Sequence, residues 1–209
     1  MSLLIYCFLG FFLSITARAD LPKLTPSQLN QLGSIVNSCT YCHRYPVPEY
    51  NDMAPRLYGQ TSAYLMAQID NFKQHKRDDK PNADTMWAVA DSLDDMYVPY
   101  VADVFSKTLV NYPPLHNPNV KLANQGKEIY YNGVPAKNIL ACFYCHGADA
   151  MGNLGFPRLA GQWKDYIIGQ FGSWKKGYRS DTQPMPDIAK ALNNDEINAL
   201  AEFLSTLKN

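Results

Sequence analysis

Cys39-Thr40-Tyr41-Cys42-His43 and Cys142-Phe143-Tyr144-Cys145-His146 both spell C-x-x-C-H, the spacing that attaches a c-type haem covalently. In a helical turn, positions three and four apart are neighbours. Two thiols therefore face one porphyrin edge, and the histidine that follows comes up beneath the iron. Whether the other axial position is filled or open separates electron transfer from catalysis. Disulfides in an exported protein and a four-thiolate zinc site are the rival uses of these cysteines. Neither explains a histidine directly after both pairs.

Working outward, Leu3 to Ile15 is an uncharged apolar run followed by Ala17-Arg18-Ala19. The run is short for a membrane span, and the A-x-A pattern predicts a signal peptide over 1–19, cut before Asp20. An uncleaved anchor is the alternative, because the run is not preceded by Lys or Arg. Cys7 lies in this segment, so the mature chain keeps four cysteines, all in the two motifs. The expected compartment is the periplasm, with loose membrane association left open. The 209 residues carry 19 basic and 19 acidic side chains. This balance argues against nucleic acid as a partner, which calls for a basic excess.

The chain then reads as one pattern given twice. Pro55-Arg56-Leu57-Tyr58-Gly59-Gln60 matches Pro157-Arg158-Leu159-Ala160-Gly161-Gln162, and Tyr64 and Tyr166 stand four residues beyond each Gln. Helices end in Lys73, Lys76 and Arg77 and in Lys175, Lys176 and Arg179; then come Met86 and Met185, Leu93 and Leu192, Ser106 and Ser205. Such self-similarity marks a tandem duplication. Helix-start signals and apolar periodicity predict helices from Pro26, over 61–75, over 94–106 and over 125–131. Residues 44–58 and 76–85 read as loops, the latter exposed. Three prolines in 107–120 predict a linker. The expected units are 1–19 signal peptide, 20–106 first domain, 107–120 linker and 121–209 second domain.

Met86 follows His43 by 43 residues and Met185 follows His146 by 39, which leaves chain enough to wrap a haem. A thioether on the far side closes the iron site and raises its potential. Core filling is the ordinary use of Met, but matching places in a repeat favour ligands. Met53, Met66, Met96 and Met151 are weaker rivals, as are His75 and His116. A metal-bound imidazole donates its other N–H to an acceptor, and the carbonyls of Pro55 and Pro157 suit that role. Arg56 and Arg158 could form forked bonds to haem propionates, or simply lie in solvent. The halves differ in charge: residues 20–106 hold 7 basic and 11 acidic residues, and 107–209 hold 11 and 8. Asp91, Asp94 and Asp95 on one half and Lys175, Lys176 and Arg179 on the other predict two docking ends of opposite sign.

These motifs together resemble dihaem cytochrome c4, over nearly all of the mature chain. Cys145-His146-Gly147-Ala148-Asp149 through Gly161-Gln162 is especially similar, and Thr85-Met86-Trp87-Ala88-Val89-Ala90 resembles the c4 proteins of acidophilic iron oxidisers. The resemblance implies an all-α pair of class I cytochrome c domains with two covalent haem c groups. It implies His/Met ligation by His43 with Met86 and His146 with Met185, and electron delivery towards a terminal oxidase. A bc1-type complex, a blue copper protein and another cytochrome are candidate donors. The expected role is a carrier, not an enzyme; a haem subunit of a larger dehydrogenase or oxidase, or a dihaem redox enzyme, are the alternatives. Arg44-Tyr45-Pro46 replaces the Gly-Ala-Asp that follows His146, and Trp87 follows Met86 where Met185 lies between prolines. The first haem is therefore expected to differ in exposure and potential.

Overall fold

The computed structural model describes residues 21–43, 54–79, 83–109, 117–179 and 183–208. The expected signal peptide, His116, Met53 and the middle of the expected linker lie outside these residues. Among the described residues the chain is helical, with isolated β-bridges and no strand.

In the first half, α1 (Pro26–His43) runs without a break into the first C-x-x-C-H motif. It is followed by α2 (Ser62–Lys73), α3 (Ala83–Ser92) and α4 (Val98–Lys107). The second half replaces the long first helix with α5 (Val120–Asn132), a turn, and the short α6 (Phe143–His146) that bears the motif. Then α7 (Lys164–Lys175), α8 (Met185–Ala191) and α9 (Asn194–Thr206) repeat α2, α3 and α4. Each half has its own core. One gathers Leu65, Tyr97, Val101, Ala102 and Phe105; the other is built around Tyr130, Ile167, Leu200, Phe203 and Leu204.

Local chemistry places the helix ends. Thr61 accepts the Tyr64 N–H at the start of α2, Asn119 accepts from Leu122 at α5, and Asn193 with Glu196 forms a capping box at α9. Such side chains satisfy amide donors that have no partner inside the helix. The helix expected over 61–75 stops at Lys73, because the backbone turns left-handed at His75. The helix expected over 94–106 starts instead at Val98, with Pro99 in its first turn, after a short 3-10 turn capped by Asp94. The helix expected over 125–131 reaches back to Val120 and on to Asn132. α3, which carries Met86, was not expected. Two expectations of exposure fail in the same region. Arg77 and Asp79, taken as part of an exposed loop, are 4% and 7% exposed, and Arg179, taken as part of a basic surface cluster, is 1% exposed.

The two halves differ in how tightly the first helix crosses the last. A Cβ on Gly126 of α5 would lie 1.9 Å from the Ala199 carbonyl oxygen in α9, whereas a Cβ on Gly33 of α1 would meet nothing within 4 Å. Gly126→Ala is therefore expected to destabilise the second half by about 3 kcal/mol through overpacking. Gly33→Ala is expected to stabilise the first by about 0.5–1 kcal/mol through helix propensity. Urea denaturation followed by circular dichroism checks both signs.

Candidate haem sites and the seam between them

His43 closes α1, and His146 closes α6. In the second motif the first turn is held by Cys142 N–H to Tyr130 O at 2.9 Å and by His146 N–H to Cys142 O at 3.0 Å. Both imidazoles are buried, and each Nδ1 lies against the expected proline carbonyl: His43 to Pro55 O at 2.8 Å, His146 to Pro157 O at 3.0 Å. That contact fixes the tautomer and leaves Nε2 for a metal. Gly152 makes the second contact possible. Its φ is +77°, and a Cβ there would lie 2.6 Å from the Arg158 nitrogen.

Burial, opposed by the Pro55 carbonyl and reinforced by the positive charge of Arg77, holds His43 below the ordinary imidazole range. His146 is lowered by burial against the Pro157 carbonyl. Burial also raises the first thiol of each motif, Cys142 to about 11. Cys39, Cys42, Cys142 and Cys145 form no disulfide. Among the described residues no three His, Cys, Asp or Glu side chains gather as a metal site requires, so the two cysteine pairs do not meet in one four-thiolate centre.

Between the halves lies a polar seam with approximate two-fold symmetry. Arg56 N–H donates to Gln162 Oε1 at 2.9 Å, and Gln162 Nε2 donates to Arg56 O at 3.1 Å. The mirror pair joins Arg158 N–H to Gln60 Oε1 at 2.7 Å and Gln60 Nε2 to Arg158 O at 3.1 Å. Deeper in, Arg77 and Arg179 form an antiparallel bridge. Arg77 reaches Tyr166 Oη at 2.9 Å and Gln170 Oε1 at 3.1 Å; Arg179 reaches Gln68 Oε1 at 3.0 Å and Tyr64 Oη at 3.5 Å. Asp79 pairs with Arg77 at 2.5 Å. Arg56 is half-buried, with its guanidinium 3.5 Å from the centre of the Trp163 ring and bonded to the Gly161 carbonyl. Arg158 is buried. Neither lies free in solvent.

This seam tests whether the residues suit haem. Arg56 and Arg158 lie where each motif's proline segment meets the other half, and Arg77 and Arg179 join the halves through the side chains of α2 and α7. The buried Nε of Arg179 has no hydrogen-bond partner among the described residues. An excess of cations in the seam fits the carboxylates that a haem carries, and the free thiols and oriented imidazoles would hold its ring and its iron. The roles of Gln60, Gln162, Arg77 and Arg179 went unseen in the sequence, although all four recur at one constant spacing between the halves.

Met86 is half-buried on α3, and Met185 is half-buried at the start of α8 against the second core. Among the rivals, Met66 and Met96 are exposed and Met151 packs on the second core. His75 is exposed and stacks flat on Trp87. No helix among the described residues is long and apolar enough to cross a membrane.

Comparison with known proteins agrees with this arrangement. The family described as cytochrome C oxidase, cbb3-type, subunit III matches residues 121–204. Cytochrome c-552 of Acidithiobacillus ferridurans is 36% identical over 83% of this chain and 75% of its own length. Cytochrome c4 of Stutzerimonas stutzeri is 30% identical over 81% and 84%. Among solved structures, cytochrome c4 of Acidithiobacillus ferrooxidans matches at a TM-score of 0.74 and 34% identity, over 82% of this chain and 99% of the other.

The guanidinium chloride midpoint, followed by Soret absorbance, reports the stability of the seam. Gln162→Ala would remove both hydrogen bonds to the half-buried Arg56 backbone and is expected to cost about 1–2 kcal/mol in the same assay.

Proposed function

The chain belongs to the dihaem cytochrome c4 family, and we propose that it works in the periplasm as a carrier between a respiratory donor and a terminal oxidase. It transfers electrons and holds two covalent haem c groups, as its family does. Each bound haem supplies an iron that takes up and returns one electron. Cys39 and Cys42 would anchor the first and Cys142 and Cys145 the second. His43 with Met86, and His146 with Met185, would fill both axial positions of each. A filled coordination shell leaves no place for substrate, which favours carriage over catalysis.

The observation that carries this reading is the repeated pinning of each histidine by a proline carbonyl beside one shared seam of buried arginines. The imidazoles are oriented before an electron arrives, and the arginines supply positive charge close to both sites. A bc1-type complex, a blue copper protein and another cytochrome all suit the donor role. A second reading, the haem partner of a dehydrogenase, draws support from two further likenesses. The thiosulfate dehydrogenase electron acceptor of Thiomonas intermedia is 31% identical over 80% of this chain and 77% of its own length. Thiosulfate dehydrogenase of Marichromatium purpuratum matches at a TM-score of 0.67 and 28% identity, over 80% of this chain and 36% of that one. Turnover of thiosulfate dehydrogenase with this protein as oxidant separates the two readings.

Redox-titrated optical spectroscopy tests the ligand set. Met86→Ala and Met185→Ala are each expected to remove about half of the sulfur-to-iron charge-transfer band and to lower one of the two potentials, because the thioether favours ferrous iron. A Met86→Ala protein with an unchanged spectrum would show that Met86 is not the ligand.

A further inference from the structure

Two registers align the halves: Gln60, Tyr64 and Arg77 with Gln162, Tyr166 and Arg179, and Met86 and Leu93 with Met185 and Leu192. In these registers three residues of the first half that touch one another have no counterpart. His75 stands where the second half has Gly177, Trp87 where it has Pro186, and Asp91 where it has Lys190. His75 and Trp87 stack with ring centres 4.3 Å apart and planes 4° from parallel. His75 Nε2 lies 3.8 Å from Asp91. The Trp87 indole N–H donates to Arg77 O at 2.9 Å.

The stack is held against a backbone preference. His75 has φ +51°, left-handed like the +77° of Gly177, a conformation that a residue with a Cβ disfavours. The ring it positions covers the residue directly after Met86. The rim is acidic: Asp91, Asp94 and Asp95 are all exposed, and the second half has Lys190, Asn193 and Asn194 in their places. Val89 and Met96 are exposed apolar side chains on the same segment, at 44% and 40%. The stacked rings of His75 and Trp87 with a mainly acidic rim, in which Lys73 is paired to Asp95, have the anatomy of a transient redox interface.

We propose that the face formed by His75, Trp87 and Asp91 on the first half is a docking surface for a redox partner whose exposed cofactor edge is ringed by lysines. The second half presents no matching surface, since glycine, proline and lysine replace the stack and its carboxylate. Electrons would be exchanged with the basic partner at the first site. The proposal rests on the carrier reading above.

The test uses the dihaem protein and two probes, a lysine-ringed mitochondrial cytochrome c and an acidic b5-type cytochrome, with exchange followed by stopped flow. The variant Asp91→Lys with Asp94→Asn and Asp95→Asn installs the residues that the second half already carries. At about 0.01 M ionic strength, where the Debye length is roughly 30 Å, it is expected to slow exchange with the basic cytochrome about tenfold and not to slow exchange with the acidic one. At about 1 M salt the wild type and the variant are expected to converge. If the triple variant does not assemble, Asp91→Lys alone is expected to slow the basic partner about threefold. An unchanged rate with the basic cytochrome, or equal slowing with both, overturns the docking face while the carrier reading stands. A wild-type protein that exchanges electrons with neither cytochrome overturns both.

Discussion

A guanidinium keeps its charge at every accessible pH, so an arginine drawn into the interior cannot relieve its burial by losing a proton. Four of them, Arg56, Arg77, Arg158 and Arg179, enter the seam between the halves. The surrounding structure is arranged to satisfy them. Backbone carbonyls, two glutamine amides, two tyrosine hydroxyls and Asp79 accept their hydrogen bonds. Aromatic faces of Trp163, Phe72 and Trp174 lie beneath three of them. Removing one member of such a buried charged set typically costs about 3–5 kcal/mol, because the partner is left unpaired. The relative placement of the two halves is therefore specified by polar groups, while each half is held internally by its own apolar core.

The same constraint links structure to function. The segments that carry Arg56 and Arg158 also carry Pro55 and Pro157, whose carbonyls orient His43 and His146. Fixing the seam thus fixes the imidazoles. Arg77 adds its charge near His43 and places its carbonyl under the Trp87 indole. One side chain and its backbone so join the interior of the seam to the exposed stack of His75 on Trp87.

Duplication gave two similar halves, and they have since diverged in specific places. The first keeps one continuous helix into its motif and an uncrowded Gly33; the second breaks that helix and presses Gly126 onto α9. Lys73 and Lys175 keep the same bond to the carbonyl of Leu93 or Leu192, and Lys73 also pairs with Asp95, where the second half has Asn194. Shared bonds hold the common fold; one departure, at Gly126, lies between packed helices, and others, such as Asp95, lie on the solvent side, where they alter what can approach.

Sequence alone determined the chemistry whose spacing is local. Two C-x-x-C-H turns and the helical class were legible because covalent attachment and helical periodicity act over a few residues, and the repeated pattern because its two copies keep the same order of residues. The proline carbonyls as acceptors were legible too, since a residue without an N–H so close to a buried histidine has little else to offer. Tertiary structure decided the rest. Arg77 and Arg179 look like surface charge in a polar stretch, and their burial depends on partners about a hundred residues away. The helix that carries Met86 follows directly on a polar stretch with Pro81 and Asn82, which hid its start. The pairing of His75 with Trp87 needs a left-handed turn to fold one segment back on another, and no local pattern announces it. Long-range hydrogen bonds and desolvation set these features, and neither leaves a periodic trace in the chain.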